Sequence, residues 1–174
     1  MATSSAPAAG DRADRTAFTT ERLLLRPVRT GDVPAVTRLW TDPLVRHHLG
    51  GPVADQVVRI RQRRIVGAPG VHAVVRSSDG ALLGLVTLEP DARDGETEVS
   101  YQFLPEHWGH GYAREAVGAA VDRALESAPS VVAVTQEAND RSRRLLEGIG
   151  MTHAASFVEF DAHQVLYRKR PDPA

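Results

Sequence analysis

The feature that most constrains this chain is a helix striped with alanines directly behind a glycine loop. Ala113, Ala116, Val117, Ala120, Val121, Ala124 and Leu125 recur at alternating intervals of three and one. That spacing places them on one helix face. Small alanines there let the helix lie close to a sheet. Before it, residues 97–104 alternate Val99, Tyr101 and Phe103 with Glu98, Ser100 and Gln102, the period of a strand. Between the two lie Pro105, Gly109 and Gly111. A strand, a glycine turn and a helix in that order let successive N–H groups converge with the unbonded N–H groups of the helix start, where the dipole favours an anion. A pyrophosphate is the natural guest, and a purely structural turn is the alternative.

The remaining elements predict an α/β (α+β) fold with a mixed, mostly antiparallel sheet flanked by helices. Residues 1–19 read as a disordered leader and 20–170 as a single domain. A strand is predicted over 22–26 and a helix over 32–40, capped by Asp32 with Pro34 in its first turn. A second helix is expected over about 52–64, with Val53, Val57, Ile60 and Arg64 on one side. Strands at 71–76 and 81–88 flank the hairpin signal Ser77-Ser78-Asp79-Gly80. Gly84 marks a bulge or a close backbone approach, and 91–95 reads as a turn. A strand at 131–135, a short helix at 140–147 begun by Asn139 or Asp140, and an antiparallel pair at 152–160 and 163–169 complete the order.

Several chemistries are excluded. With no cysteine there is no disulfide and no thiol nucleophile, which is compatible with a cytoplasmic location. A net charge of -1 argues against a nucleic-acid partner, and no run is apolar enough to span a bilayer. His107 and His110 lack a third ligand, so no metal is expected. Ser142 and Ser156 lack the glycine setting of a nucleophile elbow. The nucleoside-triphosphate loop and the dinucleotide fingerprint are both missing. Arg59, Arg61, Arg63 and Arg64 form a basic run, read as a solvated helix face or as a site for an acidic substrate or coenzyme phosphate. Glu98 could reach a cleft beside the anion and accept a proton, or serve only in an ion pair. Ser142 could donate a proton to a leaving thiolate, or only satisfy its helix turn.

These residues resemble the GNAT superfamily of N-acetyltransferases, and within it the branch that includes ribosomal-protein N-terminal acetyltransferases. The opening Glu21-Arg-Leu-Leu-Leu-Arg-Pro27, then Asp32 and Trp40-Thr-Asp-Pro43, is similar to that branch's start. The family's coenzyme signature, Gln/Arg-x-x-Gly-x-Gly/Ala, maps onto Trp108-Gly-His-Gly-Tyr-Ala113, with Trp108 in its first place. A second signature appears as Asn139-Asp-Arg-Ser142 with Gly150. The resemblance implies acetyl-coenzyme A as cosubstrate and no metal. It implies that Trp108, Gly109, His110, Gly111, Tyr112 and Ala113 cradle the pyrophosphate, helped by Arg114. Phe103 and Leu104 would offer backbone hydrogen bonds to the pantetheine arm and thioester, with Asn139 and Ser142 beside the arm and sulfur.

By the same resemblance, Glu98-Val-Ser-Tyr101 stands where the branch commonly carries Glu-Ile-Gly-Tyr. Glu98 would take the proton of the attacking amine, directly or through water, and an N–H of Phe103 or Leu104 would stabilise the oxyanion. The short helix has no tyrosine to serve as acid, which shifts that role to Ser142. Trp40, His47, His48 and Tyr101 are the expected acceptor contacts, with the final hairpin near Phe157. The acceptor is an amine, on a small molecule or a peptide N-terminus. The alternative is an inactive regulatory module that binds an acyl-coenzyme A. A monomer or homodimer without membrane attachment is expected.

Overall fold

The computed structural model describes residues 17–172; residues 1–16 of the expected leader lie outside the described residues. In chain order the elements are β1 (Phe18–Thr19), β2 (Leu23–Pro27), α1 (Val33–Thr41), α2 (Asp55–Arg64), β3 (Val71–Arg76), β4 (Leu82–Arg93), β5 (Glu96–Phe103), α3 (Tyr112–Leu125), β6 (Val131–Gln136), α4 (Asp140–Gly148), β7 (Thr152–Glu159) and β8 (Ala162–Lys169). The strands make one sheet in the order β1-β2-β3-β4-β5-β6-β8-β7. Every neighbouring pair is antiparallel except β5 and β6. This is the mixed, mostly antiparallel sheet with flanking helices that the patterning predicts. No helix among the described residues is long and apolar enough to cross a membrane.

The parallel pair shapes the molecule. β5 and β6 pair only at Thr97–Val131 and Glu98–Val132. Beyond Glu98 the strands part, while β6 stays paired to β8 along Val131 to Gln136. A parallel neighbour requires a crossover, and here it is α3, whose stripe buries Ala116, Val117, Ala120 and Val121. That stripe packs on Leu23, Leu25, Val86, Val99 and Phe103. The opposite sheet face holds Ala73, Val75 and Leu85 against Val36, Leu39 and Trp40 of α1 and Val58 of α2. The start of α1 is fixed by a buried pair: Arg26 donates to both Asp32 oxygens at 2.6 and 3.0 Å.

Three expectations change. The leader does not reach residue 19, because Phe18 and Thr19 pair with Leu25 and Leu24. α2 begins at Asp55, not near Pro52, and its buried residue is Val58; Val57 and Ile60 are 41% and 51% exposed. The buried side is set by packing, since Val58 meets the cluster of Val36, Leu39 and Trp40. The turn expected over 91–95 shrinks to its end, since β4 continues to Arg93 through a register shift after Glu89. Gly84 does both things expected of it. The register slips beside it, opposite Val74 and Val75. A Cβ there would lie 2.2 Å from the Gln102 carbonyl oxygen.

Candidate active site

The gap between β5 and β6 opens into a groove of about 430 Å³. Its walls include Tyr101 and Phe103 from β5, Trp108 and Ala113 from the loop and α3, and Asn139 just before α4 with Arg141 and Ser142 from its first turn. His47 and His48 line it from the segment between α1 and α2. The strand register decides which backbone groups face it. Leu104 N–H donates to Leu83 O at 2.9 Å, so Phe103 and Gly84 form a non-hydrogen-bonded pair. The N–H and C=O of Phe103, and by the same alternation those of Tyr101, therefore point away from β4 and into the gap.

The loop after β5 is held open. A single 3-10 turn, Pro105–His107, is followed by Trp108, whose indole Nε1 donates to Phe103 O at 2.8 Å. Gly109 and Gly111 take φ of 80° and 79°, the left-handed region that glycine enters freely. α3 then starts at Tyr112, and its first backbone bond runs from Glu115 N to Gly111 O at 3.0 Å. Among the described residues, the N–H groups of Gly109, His110, Gly111, Tyr112, Ala113 and Arg114 meet no protein acceptor. A Cβ on Gly109 would meet no atom within 4 Å, so the cradle is open there. Six unbonded N–H groups at a 14-residue helix start fit a pyrophosphate.

Arg22 and Glu115 brace this loop. Glu115 accepts from Thr20 Oγ1 at 2.6 Å, Arg22 N at 2.9 Å and Arg22 Nε at 2.7 Å. Arg22 Nη1 also donates to His110 O at 3.0 Å, and its guanidinium lies 4.6 Å over the Tyr112 ring. Sequence reasoning missed this brace, since nothing local in the sequence links residues 93 apart. Arg141 was missed as well: its guanidinium stands 4.1 Å over the Trp108 ring beside the cradle. Its place inside the second signature was the available signal.

At the inner end, Asn139 caps α4 by accepting from Ser142 N at 3.2 Å. The Ser142 and Tyr101 hydroxyls meet at 2.7 Å. Burial pushes the Tyr101 phenol up to about 12, with the Ser142 bond pulling the other way. His48 Nδ1 lies 3.1 Å from Gln136 Oε1, tying the α1–α2 segment to the end of β6, and the His47 ring stands edge-on to His48 at 4.5 Å.

Other expected residues are placed differently. Leu104 offers no backbone group: its N–H goes to Leu83 O, its carbonyl accepts from His107 N at 3.0 Å, and its side chain is core. Arg114 turns to α4, donating to Gly148 O at 2.7 Å. His110 stacks on Tyr112 at 5.7 Å with Nδ1 2.9 Å from Trp108 O. Among the described residues no three His, Cys, Asp or Glu side chains gather as metal ligands. Glu98 is absent from the groove walls; its Oε2 accepts from Arg93 Nε at 2.8 Å, and Arg93 also reaches Glu159 at 3.3 Å. It shares the sheet face of Ser100, two residues on. Phe157 lies under Arg93 at 5.6 Å, outside the groove walls. Trp40 lines a second cavity of about 380 Å³ on the α1–α2 face, and the two cavities share Ser100, Tyr101 and Gln102.

Comparison with known proteins finds relatives along most of the chain. The acetyltransferase (GNAT) domain model matches residues 22–152. YkkB of Bacillus subtilis is 26% identical over 167 residues, 90% of this chain and 96% of that protein. The uncharacterized N-acetyltransferase p20 of Bacillus licheniformis is 25% identical over 116 residues, which cover 62% of this chain and 65% of p20. A crystal structure of a GNAT-family acetyltransferase from Bacillus anthracis superposes with a TM-score of 0.81 at 22% identity, covering 89% of this chain and 98% of that one.

Proposed function

This chain belongs to the GNAT acetyltransferase family, and we propose that it transfers an acetyl group from acetyl-coenzyme A to a primary amine on a small molecule or a peptide N-terminus. The observation that carries the proposal is the run of unbonded N–H groups from Gly109 to Arg114, beside a groove that ends at Tyr101 and Ser142. When bound, acetyl-coenzyme A supplies the thioester carbon that the amine attacks.

The chain's own residues divide the remaining work. The loop amides and the α3 dipole would hold the pyrophosphate, with Arg141 adding positive charge beside Trp108. The groove-facing backbone of Tyr101 and Phe103 would bond the pantetheine arm. The Phe103 N–H is the strand donor placed to meet an oxyanion, since the Leu104 N–H is engaged. A phenol at about 12 stays protonated near neutral pH, so Tyr101 would polarise Ser142 or donate to the departing sulfur without ionising. Glu98 would collect the amine's proton through water along the sheet face it shares with Ser100. The reading places the protein in the cytoplasm, as a monomer or homodimer.

The test is calorimetric titration with acetyl-coenzyme A together with thiol release over a panel of small amines and peptides. Binding with turnover supports the proposal. Binding without turnover on any acceptor favours a regulatory module, and absence of binding removes both. Comparing Glu98→Gln with the parent across pH tests the base: an unchanged kcat/KM profile removes Glu98 from that role.

A further inference from the structure

We infer that the acceptor amine also carries a carboxylate, received by Arg61 and Arg64 in the second cavity; this rests on the acetyl-transfer reading above. The basic run of α2 splits in three dimensions. Arg61 and Arg64 line the cavity of about 380 Å³, whereas Arg59 and Arg63 do not. No aspartate or glutamate lines it. Among the described residues neither Arg61 nor Arg64 joins an ion pair, although Arg22, Arg26, Arg38, Arg76, Arg93 and Arg168 all do. Arg61 instead lies 5.7 Å over the Trp40 ring, which holds its guanidinium at the cavity wall. An unpaired guanidinium fork is suited to a carboxylate.

The other end of the cavity asks for a donor. Gln102 Oε1 is buried and has no hydrogen-bond partner among the described residues. A carbonyl oxygen can only accept, and leaving it unmet is unfavourable. A turn of the Gln102 side chain toward the cavity it lines would let an amine N–H satisfy it. Gln102 belongs to both cavities, so that amine would sit where the coenzyme groove reaches Tyr101 and Ser142. The geometry thus sets an acceptor's amine at Gln102 and its acid group toward Arg61 and Arg64, the pattern of an amino acid. The same cations disfavour an ammonium, which helps the amine enter in its neutral, nucleophilic form. They also repel a polyamine.

The experiment compares apolar L-amino acids, their carboxamides and a linear polyamine as acceptors. The parent protein should favour the acids over the carboxamides by about tenfold or more in kcat/KM. In the Arg61→Gln/Arg64→Gln double variant that ratio should fall toward one, mainly through KM, and Arg61→Lys/Arg64→Lys should restore part of it. Acetyl-coenzyme A affinity, read by calorimetry, should be unchanged in both. The inference is overturned if carboxamides or the polyamine are used as well as the acids, if no acid is acetylated, or if the preference survives the double variant. Acetyl-coenzyme A binding and turnover of any amine decide the parent reading separately.

Discussion

The hydroxyl of Tyr101 on β5 and that of Ser142 on α4 lie 2.7 Å apart, bridging the two walls of the groove at its inner end. Each holds the other in place, and the buried phenol stays protonated because burial pushes it up to about 12. Tyr101→Phe and Ser142→Ala should each lower kcat about tenfold, the scale of one hydrogen bond realised in the transition state. The double variant should be little worse than either single one, since the pair acts as a unit. Steady-state kinetics beside calorimetry of acetyl-coenzyme A binding check this; additive losses would separate the two residues.

Gly109 has φ of 80° and open space where a Cβ would go. Gly109→Ala should therefore lose only about 1–2 kcal/mol of stability, from the left-handed backbone alone. The larger effect should fall on the ligand. The rise in Tm that acetyl-coenzyme A induces should shrink markedly, because the cradle's amides are re-aimed. Thermal melts with and without the ligand measure both.

Gly84 is constrained by contact, not by φ. A Cβ there would press on the Gln102 carbonyl at 2.2 Å and the Phe103 ring at 2.9 Å. Gly84→Ala should destabilise by about 1–3 kcal/mol and lower kcat of the folded protein, since both displaced residues line the groove. Gly118→Ala is the contrast. Its Cβ would meet only the Ile149 side chain at 3.4 Å inside α3, where alanine is the better helix former by about 1 kcal/mol. Urea unfolding should find it neutral or stabilising.

Glu96 fastens the start of β5 to β8 by two bonds of 2.7 Å from Arg168, with Ser130 donating at 2.5 Å. The Arg168 bonds, against some desolvation, hold its carboxyl at about 2 from an ordinary 4.5. A carboxyl lowered on folding stabilises above its unfolded pKa, and that stability is lost as pH falls through the folded one. Unfolding free energy should decline between about 4.5 and about 2 on the pH axis. Glu96→Gln should be less stable at neutral pH and show a flatter acid limb. Urea midpoints across that window measure it.

Much of this architecture is legible in the sequence alone. The alanine stripe of α3, the left-handed glycines ahead of it, the Asn139 cap and the close approach at Gly84 all leave local signals. The first three depend on side-chain period or turn chemistry within a few residues, and a glycine inside a strand pattern is a local signal even though the partner of its close approach lies on β5. Local reasoning slipped at element bounds and at one helix face: α2 buries Val58 and not Val57, because Val58 packs with Val36, Leu39 and Trp40.

The sequence by itself determined the strand–loop–helix unit, its fitness for a pyrophosphate and the kind of fold around it, because short-range sterics and hydrophobic period suffice for those. Tertiary structure alone decided that Leu104 is engaged while Phe103 faces the gap, that Glu98 bonds Arg93, and that Arg61 and Arg64, but not Arg59 and Arg63, line a cavity. It also joined Tyr101 to Ser142 and Arg22 to Glu115, residues 41 and 93 positions apart. The physical reason is register: which edge of a strand is bonded, and which helix face meets the sheet, follow from pairing across the whole molecule.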